Sequence, residues 1–271
     1  MNNKELYTRL KNILSEISEE DYPEIYNIIE NELDFSDEAV YEEAYNIAGE
    51  LHEADGTKIL PECVADFIID VYTDELNSGN VNAACDIGSL YYTGRAGEQN
   101  YKKAVEYYTI AADGGCRQAQ ENLGYCFYYG RDIPVDYEKA FHYFALGAFD
   151  GHLRSLYKIG DMYRNGYYVD KNEVEAFRIY MHCAQGLNED NIHLVGADIM
   201  MRLGDCFFKG IGTEVDNKQA LKYYQLAEQM YYERLESGDF LIKNCYKHVL
   251  KNQEEARQRL NDVLPGYEWT K

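Results

Sequence analysis

A glycine recurs inside this chain at a set interval, and that interval restricts what the chain can fold into. Gly88, Gly124 and Gly160 stand 36 residues apart, and Gly204 follows after 44, an excess of eight. Six residues after each comes a second glycine: Gly94, Gly130, Gly166 and Gly210. Twelve after comes Asn100, Asp136, Asn172 or Asp216, and sixteen after comes Ala104, Ala140, Ala176 or Ala220. Nineteen and twenty after come Tyr107-Tyr108, Tyr143-Phe144, Ile179-Tyr180 and Tyr223-Tyr224. Self-similarity at this period marks a stack of supersecondary units, none of which can bury its apolar face alone.

Each recurring position has a mechanical reading. The Asn or Asp is a helix N-cap whose side-chain oxygen accepts a first-turn N–H, so it opens the second helix of each unit. The glycine at the sixth place closes the first helix in the left-handed conformation that glycine adopts at little cost. The landmark glycine lies within the first helix, where it costs roughly 1 kcal/mol against alanine. A repeated cost implies a repeated need. The expectation is close approach of two helix backbones, with the alanine as the matching small residue and the aromatic pair filling the space between units.

The order Leu-Gly-x-x-aromatic-x-x-Gly, then Asp or Asn, then Lys-Ala, two aromatics, Ala-Ala and Gly resembles the Sel-one-like repeat, a relative of the tetratricopeptide repeat. It is clearest in Leu123 to Gly151 and in Ile87 to Gly115, with Lys103-Ala104 and Ala111-Ala112. The third unit departs from it at Gly186, one place early, and in a stretch to Asp198; the fourth has Glu228 and Tyr231 where Ala and Gly are usual. The resemblance implies an all-α fold, a right-handed α-α superhelical solenoid of stacked helix hairpins, with units at about 83–118, 119–154, 155–198 and 199–236.

Outside the repeats the apolar spacing is helical. Leu6, Leu10, Ile13, Leu14 and Ile17 form one set, Ile25, Ile28 and Ile29 a second, Val40, Ala44, Ile47 and Leu51 a third, and Val64, Phe67, Ile68 and Val71 a fourth. Ser36-Asp37 and Pro61 mark helix starts, and Gly79 followed by Ala83-Ala84 imitates the join between repeats. Asp239 to Val263 reads as a last helix, with Leu241, Cys245, Val249, Ala256 and Leu260 on its apolar side and Pro265-Gly266 beyond. The expected organisation is an acidic helical cap over residues 1–80 packed on the solenoid, repeats over 81–236, and a capping helix and tail over 237–271. Extra capping helices at both ends suit a solenoid, whose terminal units need a polar outer face.

Acidic residues number 48 against 26 basic ones, a net charge of −22. That excludes nucleic acid as an expected direct partner, since phosphate binding needs clustered Lys and Arg, and disfavours an anionic membrane surface. The excess is uneven: residues 1–80 hold 21 acidic and 4 basic residues, net −17. Such a face either aids solubility or steers a basic partner onto the solenoid. The first ten residues lack the apolar run of a secretory signal. The most apolar segment, Val64 to Tyr72, is broken by Asp66 and Asp70. Seven cysteines without a CxxC pair read as reduced core fillers. A cytoplasmic location is the expectation.

The six histidines, at 52, 142, 152, 182, 193 and 248, fit no metal spacing, and Gly210-Ile-Gly212 begins neither a dinucleotide nor a phosphate-binding loop. No enzyme, metal or cofactor is expected. What remains is the stripe of each first helix opposite its packed face. By resemblance to tetratricopeptide stacks it lines the concave face. The partner-binding candidates are Ser89, Tyr92 and Thr93; Asn122, Tyr125, Tyr128 and Tyr129; Asp161, Arg164 and Asn165; and Arg202, Asp205, Phe208 and Lys209. Tyrosines among Asn, Arg and Asp suit a protein-binding surface, although rings in such a repeat also serve as inter-repeat core. The expected function is a non-catalytic adaptor or scaffold binding a protein or peptide, with an acidic inhibitor or immunity protein neutralising a basic toxin or nuclease as the alternative.

Overall fold

The computed structural model describes residues 3–34, 44–54, 59–236 and 242–263, and these form helices and turns with no strand among them. The chain divides into two compact units, Met1–Asp136 and Tyr137–Lys271. The first holds α1 (Asn3–Glu16), α2 (Pro23–Asp34), α3 (Ala44–Glu53), α4 (Glu62–Ser78), α5 (Asn82–Thr93), α6 (Tyr101–Asp113) and α7 (Arg117–Tyr129). The second holds α8 (Tyr137–Phe149), α9 (Leu153–Asn165), α10 (Glu173–Gln185), a π-turn (Ile192–Gly196), α11 (Ala197–Lys209), α12 (Asn217–Glu236) and α13 (Lys243–Val263). No described helix is long and apolar enough to cross a membrane. Ser36, Asp37, Val40, Leu241, Pro265 and Gly266 lie outside the described residues.

The boundaries follow from local chemistry. Asn100 and Asn172 accept the N–H of Lys103 and Glu175 at 2.9 and 3.0 Å, and Asp216 takes those of Lys218 and Gln219 at 2.9 and 3.1 Å. Each such cap contributes about 1 kcal/mol. The turn glycines Gly94, Gly130, Gly166 and Gly210 have φ of 74°, 65°, 71° and 72°, a region that side-chain-bearing residues enter at a cost. Where the pattern lacks its closing glycine the helix continues. Tyr231 takes the place that Gly115 and Gly151 hold, and α12 runs 20 residues where α6, α8 and α10 run 13.

In the first unit, Leu10, Ile13, Ile25, Ile29, Leu51, Phe67 and Ile68 of α1 to α4 share one core with Ala83, Ile87 and Leu90 of α5. In the second, Tyr180, Leu203, Cys206, Tyr224 and Tyr231 form a core closed by Val249 and Ala256 of α13. All seven cysteines are free thiols, five of them buried.

Three of the landmark glycines show what the close approach of the two helices brings against them. A Cβ on Gly88 would lie 2.6 Å from the ring of Tyr108, one on Gly160 2.7 Å from Tyr180, and one on Gly204 2.6 Å from Tyr224. At these three positions the glycine seats the second aromatic of its own hairpin, twenty residues on, so that ring lies within the unit, whereas Tyr223, the first aromatic of its pair, reaches Met181 of the preceding repeat at 4.0 Å. Ala104, Ala140, Ala176 and Ala220 are fully buried.

This geometry sets two opposite outcomes for one substitution. Gly204→Ala gains helix propensity but drives a methyl into a ring, and overpacking of about 1–3 kcal/mol outweighs the gain, so the denaturation midpoint falls. Gly49→Ala in α3, where nothing lies within 4 Å of the added carbon, raises stability by about 1 kcal/mol. Urea titrations of both variants check the pair.

Candidate interaction surface

The two units treat the candidate stripe differently. In the second unit it is consumed by charge pairing. Asp161 of α9 is buried and receives Arg202 of α11 through Nε at 2.6 Å and Nη2 at 2.7 Å, while the Tyr180 hydroxyl donates to Oδ1 at 2.8 Å. Lys158 Nζ lies 3.4 Å from the same carboxylate. Arg164 of α9 reaches Asp205 of α11 at 3.3 Å. Asp205 also receives the Tyr224 hydroxyl at 2.7 Å, His248 Nε2 at 2.8 Å and Asn252 Nδ2 at 3.3 Å. His248 and Asn252 belong to α13, as does Arg259, whose guanidinium lies 4.0 Å from the ring centroid of buried Phe208. The last helix therefore covers the α11 stripe. Among the candidates here, Asn165 and Lys209 stay exposed; Asn165 donates to the Asp161 carbonyl at 2.8 Å, and Lys209 Nζ lies 3.9 Å from Asp205.

Burial alone raises the pKa of Asp161, but the charge and hydrogen bonds of Arg202, with Lys158 and the Tyr180 hydroxyl, override it and hold the carboxyl at about 2. Burial likewise raises Asp205, and His248, Tyr224 and Lys209 pull it well below the usual carboxylate range. Burial pushes the Tyr180 and Tyr224 phenols well above their ordinary value, so both stay protonated and donate.

In the first unit the stripe is open at its centre. At one edge α3 covers it, since Tyr45 donates its hydroxyl to Asp86 of α5. Beyond that point rings meet in sequence. Tyr92 packs edge-on against Tyr101 at 5.1 Å, and Arg131 lies 5.3 Å from the centroids of both Tyr101 and Tyr129. Tyr129 stacks on Tyr125 at 6.3 Å and 13°, meets Tyr128 at 4.9 Å and 78°, and is 47% exposed. Burial pushes the Tyr92 phenol up, and Arg131 opposes it. Thr93 is exposed and donates to the Ser89 carbonyl at 2.8 Å. Asn122 accepts from Gln118 at 3.2 Å and points its amide toward Cys85 Sγ at 3.9 Å.

Two members of this cluster lay outside the sequence stripe. Arg131 follows the turn glycine Gly130, and Tyr101 opens α6. An Arg just past a turn, beside a Tyr-rich helix, was the signal that could have found them. Among the described residues no group of His, Cys, Asp and Glu is arranged to hold a metal ion.

The profile of the Sel1 repeat matches at residues 81–116, 117–152, 153–180 and 197–232, together half of the chain. The chain belongs to the Sel1 repeat family. Its matched repeats begin two residues before the boundaries read from the sequence, and residues 181–196 stay unmatched, where the chain inserts its π-turn. Among solved structures it is similar to a protective antigen of uropathogenic Escherichia coli strains with an SLR fold, at 20% identity and TM-score 0.57 over 89% of this chain and 51% of that one. This Sel1 repeat chain thus spans about half the length of that antigen. It is also similar to a Sel1 repeat protein from Oxalobacter formigenes, at 22% identity and TM-score 0.55 over 83% and 87% of the two chains. Both likenesses show a solenoid fold. An immunity protein from Pseudomonas aeruginosa aligns at 19% identity over 71% and 83% of the chains, with a TM-score of 0.37, too low to argue from. No curated protein sequence matches at a significant level. Sel1 repeat solenoids generally serve protein–protein interaction, not catalysis.

The buried pairs of the second unit give a pH prediction. A carboxyl held below its unfolded pKa stabilises the fold fully above that unfolded value, and the contribution is lost as pH falls through the folded one. Stability therefore drops between about pH 4 and pH 2 as Asp161 protonates. Asp161→Asn leaves Arg202 buried with Asp198 3.6 Å away as its remaining carboxylate, costing about 3 kcal/mol at neutral pH and flattening the acid limb. Thermal melts across the range measure both.

Proposed function

We propose that this chain is a non-catalytic adaptor or scaffold that holds a basic segment of another protein on the tyrosine cluster of α5 and α7. One observation carries the reading. The connected rings of Tyr92, Tyr125, Tyr128 and Tyr129 stand on a unit with 28 acidic and 9 basic residues, net −19, whereas the other unit is at −3. A phenol offers large contact area at small entropic cost, and rings of this type concentrate binding energy. The surrounding negative field raises the encounter rate of a basic partner. Ser89, Thr93 and Asn122 add hydrogen-bonding groups around the rings. In the second unit Asn165 and Lys209 are the exposed candidates, while Asp161, Arg164, Arg202, Asp205 and Phe208 are assigned to holding the stack together.

The same charge favours a second reading, an inhibitor or immunity protein that neutralises a basic toxin or nuclease. There the bound segment is part of an enzyme, and binding stops its reaction. The two readings share the surface and differ in what the partner does.

The test is affinity capture from host lysate by the parent and by a Tyr125→Ala, Tyr129→Ala double variant, at low and at high salt. The expected outcome is one basic protein retained by the parent at low salt. Its affinity falls about 30-fold or more in the variant and steeply as ionic strength rises. Equal retention by parent and variant, or indifference to salt, would sink the proposal. Inhibition of the captured partner's own activity would decide for the second reading.

A further inference from the structure

The hairpin of α3 and α4 keeps the spacing of the repeats but changes the contact at its centre. Gly49 stands twelve residues before Pro61 and sixteen before Ala65, as Gly88 stands before Asn100 and Ala104. At the place of Tyr108, however, this hairpin has Ile69, and a Cβ on Gly49 would meet nothing within 4 Å. The ring comes three residues later, as Tyr72, and it meets the residue three after Gly49, which is His52. The two ring centroids lie 6.0 Å apart, His52 Nδ1 is 3.2 Å from the Tyr72 hydroxyl, and both side chains are buried. Where Gly88, Gly160 and Gly204 seat a ring, this hairpin closes on an imidazole. Histidine is the side chain that changes charge between pH 5 and 8 at its ordinary pKa of about 6.5. The contact is therefore open to charging by mild acid.

The surroundings disfavour that charge and tie α3 to its neighbours. Burial pushes the His52 pKa down; the Glu53 and Asp86 carboxylates oppose this only in part, and the Arg95 guanidinium reinforces it. Arg95, buried in the turn after α5, donates through Nη2 to the Ala54 carbonyl at 2.7 Å. Tyr45, two turns before His52 on α3, packs edge-on against Tyr72 at 5.4 Å and donates its hydroxyl to Asp86 of α5. We propose that the His52–Tyr72 contact is a pH-operated latch: a proton on the imidazole releases α3 from α4, and with it Tyr45 from Asp86, which opens the edge of the α5 stripe that α3 covers. The released imidazole takes up a proton more readily than the buried one, so α3 is held above about pH 6.5 and its release is favoured as pH falls below that value. Asp86 acts in the opposite sense. Burial raises its carboxyl, so protonation there favours the closed form. The latch does not depend on what the tyrosine cluster binds.

Hydrogen exchange of the full chain, read by mass spectrometry at about pH 7.5, 6.5 and 5.5 and corrected for the intrinsic exchange rate, tests the latch. In the parent, protection of α3 is expected to fall about threefold or more between pH 6.5 and 5.5, while α6 and α11 keep theirs. His52→Gln retains a neutral hydrogen-bonding side chain and gives a flat profile for α3. Asp86→Asn removes the opposing carboxylate and keeps the fall. Three results would overturn the proposal: α3 protection in the parent that does not change with pH, a fall that persists in His52→Gln, or a fall shared equally by α6 and α11. A second measurement leaves the chain unmutated. The His52 Cε1 proton resonance is expected to titrate below about pH 6.5, and titration at or above that value would also overturn the latch.

Discussion

One contact within the hairpin organises the second unit: a tyrosine ring seated on a helix glycine with its hydroxyl on the carboxylate that follows that glycine. Tyr180 lies on Gly160 and donates to Asp161; Tyr224 lies on Gly204 and donates to Asp205. The glycine fixes how closely the two helices approach, since a methyl would collide with the ring. The hydroxyl then turns the carboxylate so that its remaining lone pairs face the neighbouring element. Arg202 takes those of Asp161, and Arg164, His248 and Asn252 take those of Asp205. A lock inside one hairpin thus becomes a lock between successive helices. These carboxylates are nearly out of water, so each pairing contributes through satisfied desolvation more than through attraction alone.

The same place in the first unit bears other residues, and the consequence is a different surface. Ser89 and Tyr125 stand where Asp161 and Asp205 stand, directly after their glycines. Neither is a carboxylate that could receive an arginine from the next helix. Tyr125 instead stacks on Tyr129, and Arg131 bridges the rings of Tyr129 and Tyr101. One position per repeat therefore decides whether the stripe is closed by ion pairs or left as half-exposed aromatic area. The acidic residues follow the open version, since the unit with the rings carries nearly all of the net charge.

The fold was legible because each repeated residue has a local task that spacing reveals. Asn100 caps, Gly94 turns left-handed and Ala104 is buried, and none of these needs knowledge of a distant partner. The ring that meets the glycine was not legible, because a cost of helix propensity shows that something approaches, not what. The stripe was legible as a face and illegible as a site. Helical periodicity places Asp205 and Phe208 on the same side as Tyr125, but it cannot show that α13 folds back over them, since α13 has no counterpart in the repeat. Pairings such as Asp161 with Arg202 join residues 41 apart across an irregular insertion, a distance no periodic argument supplies.

That insertion also shows how a stack tolerates an interruption. The extra residues follow α10, the helix ahead of them, and are taken up by the π-turn before α11 resumes the repeat pattern at full register, with Gly204, Gly210, Asp216 and Ala220 all in place. Asp198, the residue at which the irregular stretch ends, is anchored by the Tyr231 hydroxyl at 2.9 Å and by Arg234. Both partners lie on the part of α12 that continues beyond the usual end of a second helix, because the closing glycine is replaced by Tyr231. The two departures from the repeat are therefore one compensated change. The missing glycine lengthens α12, and the lengthened α12 supplies the ring and the guanidinium that pin the start of α11 after the insertion.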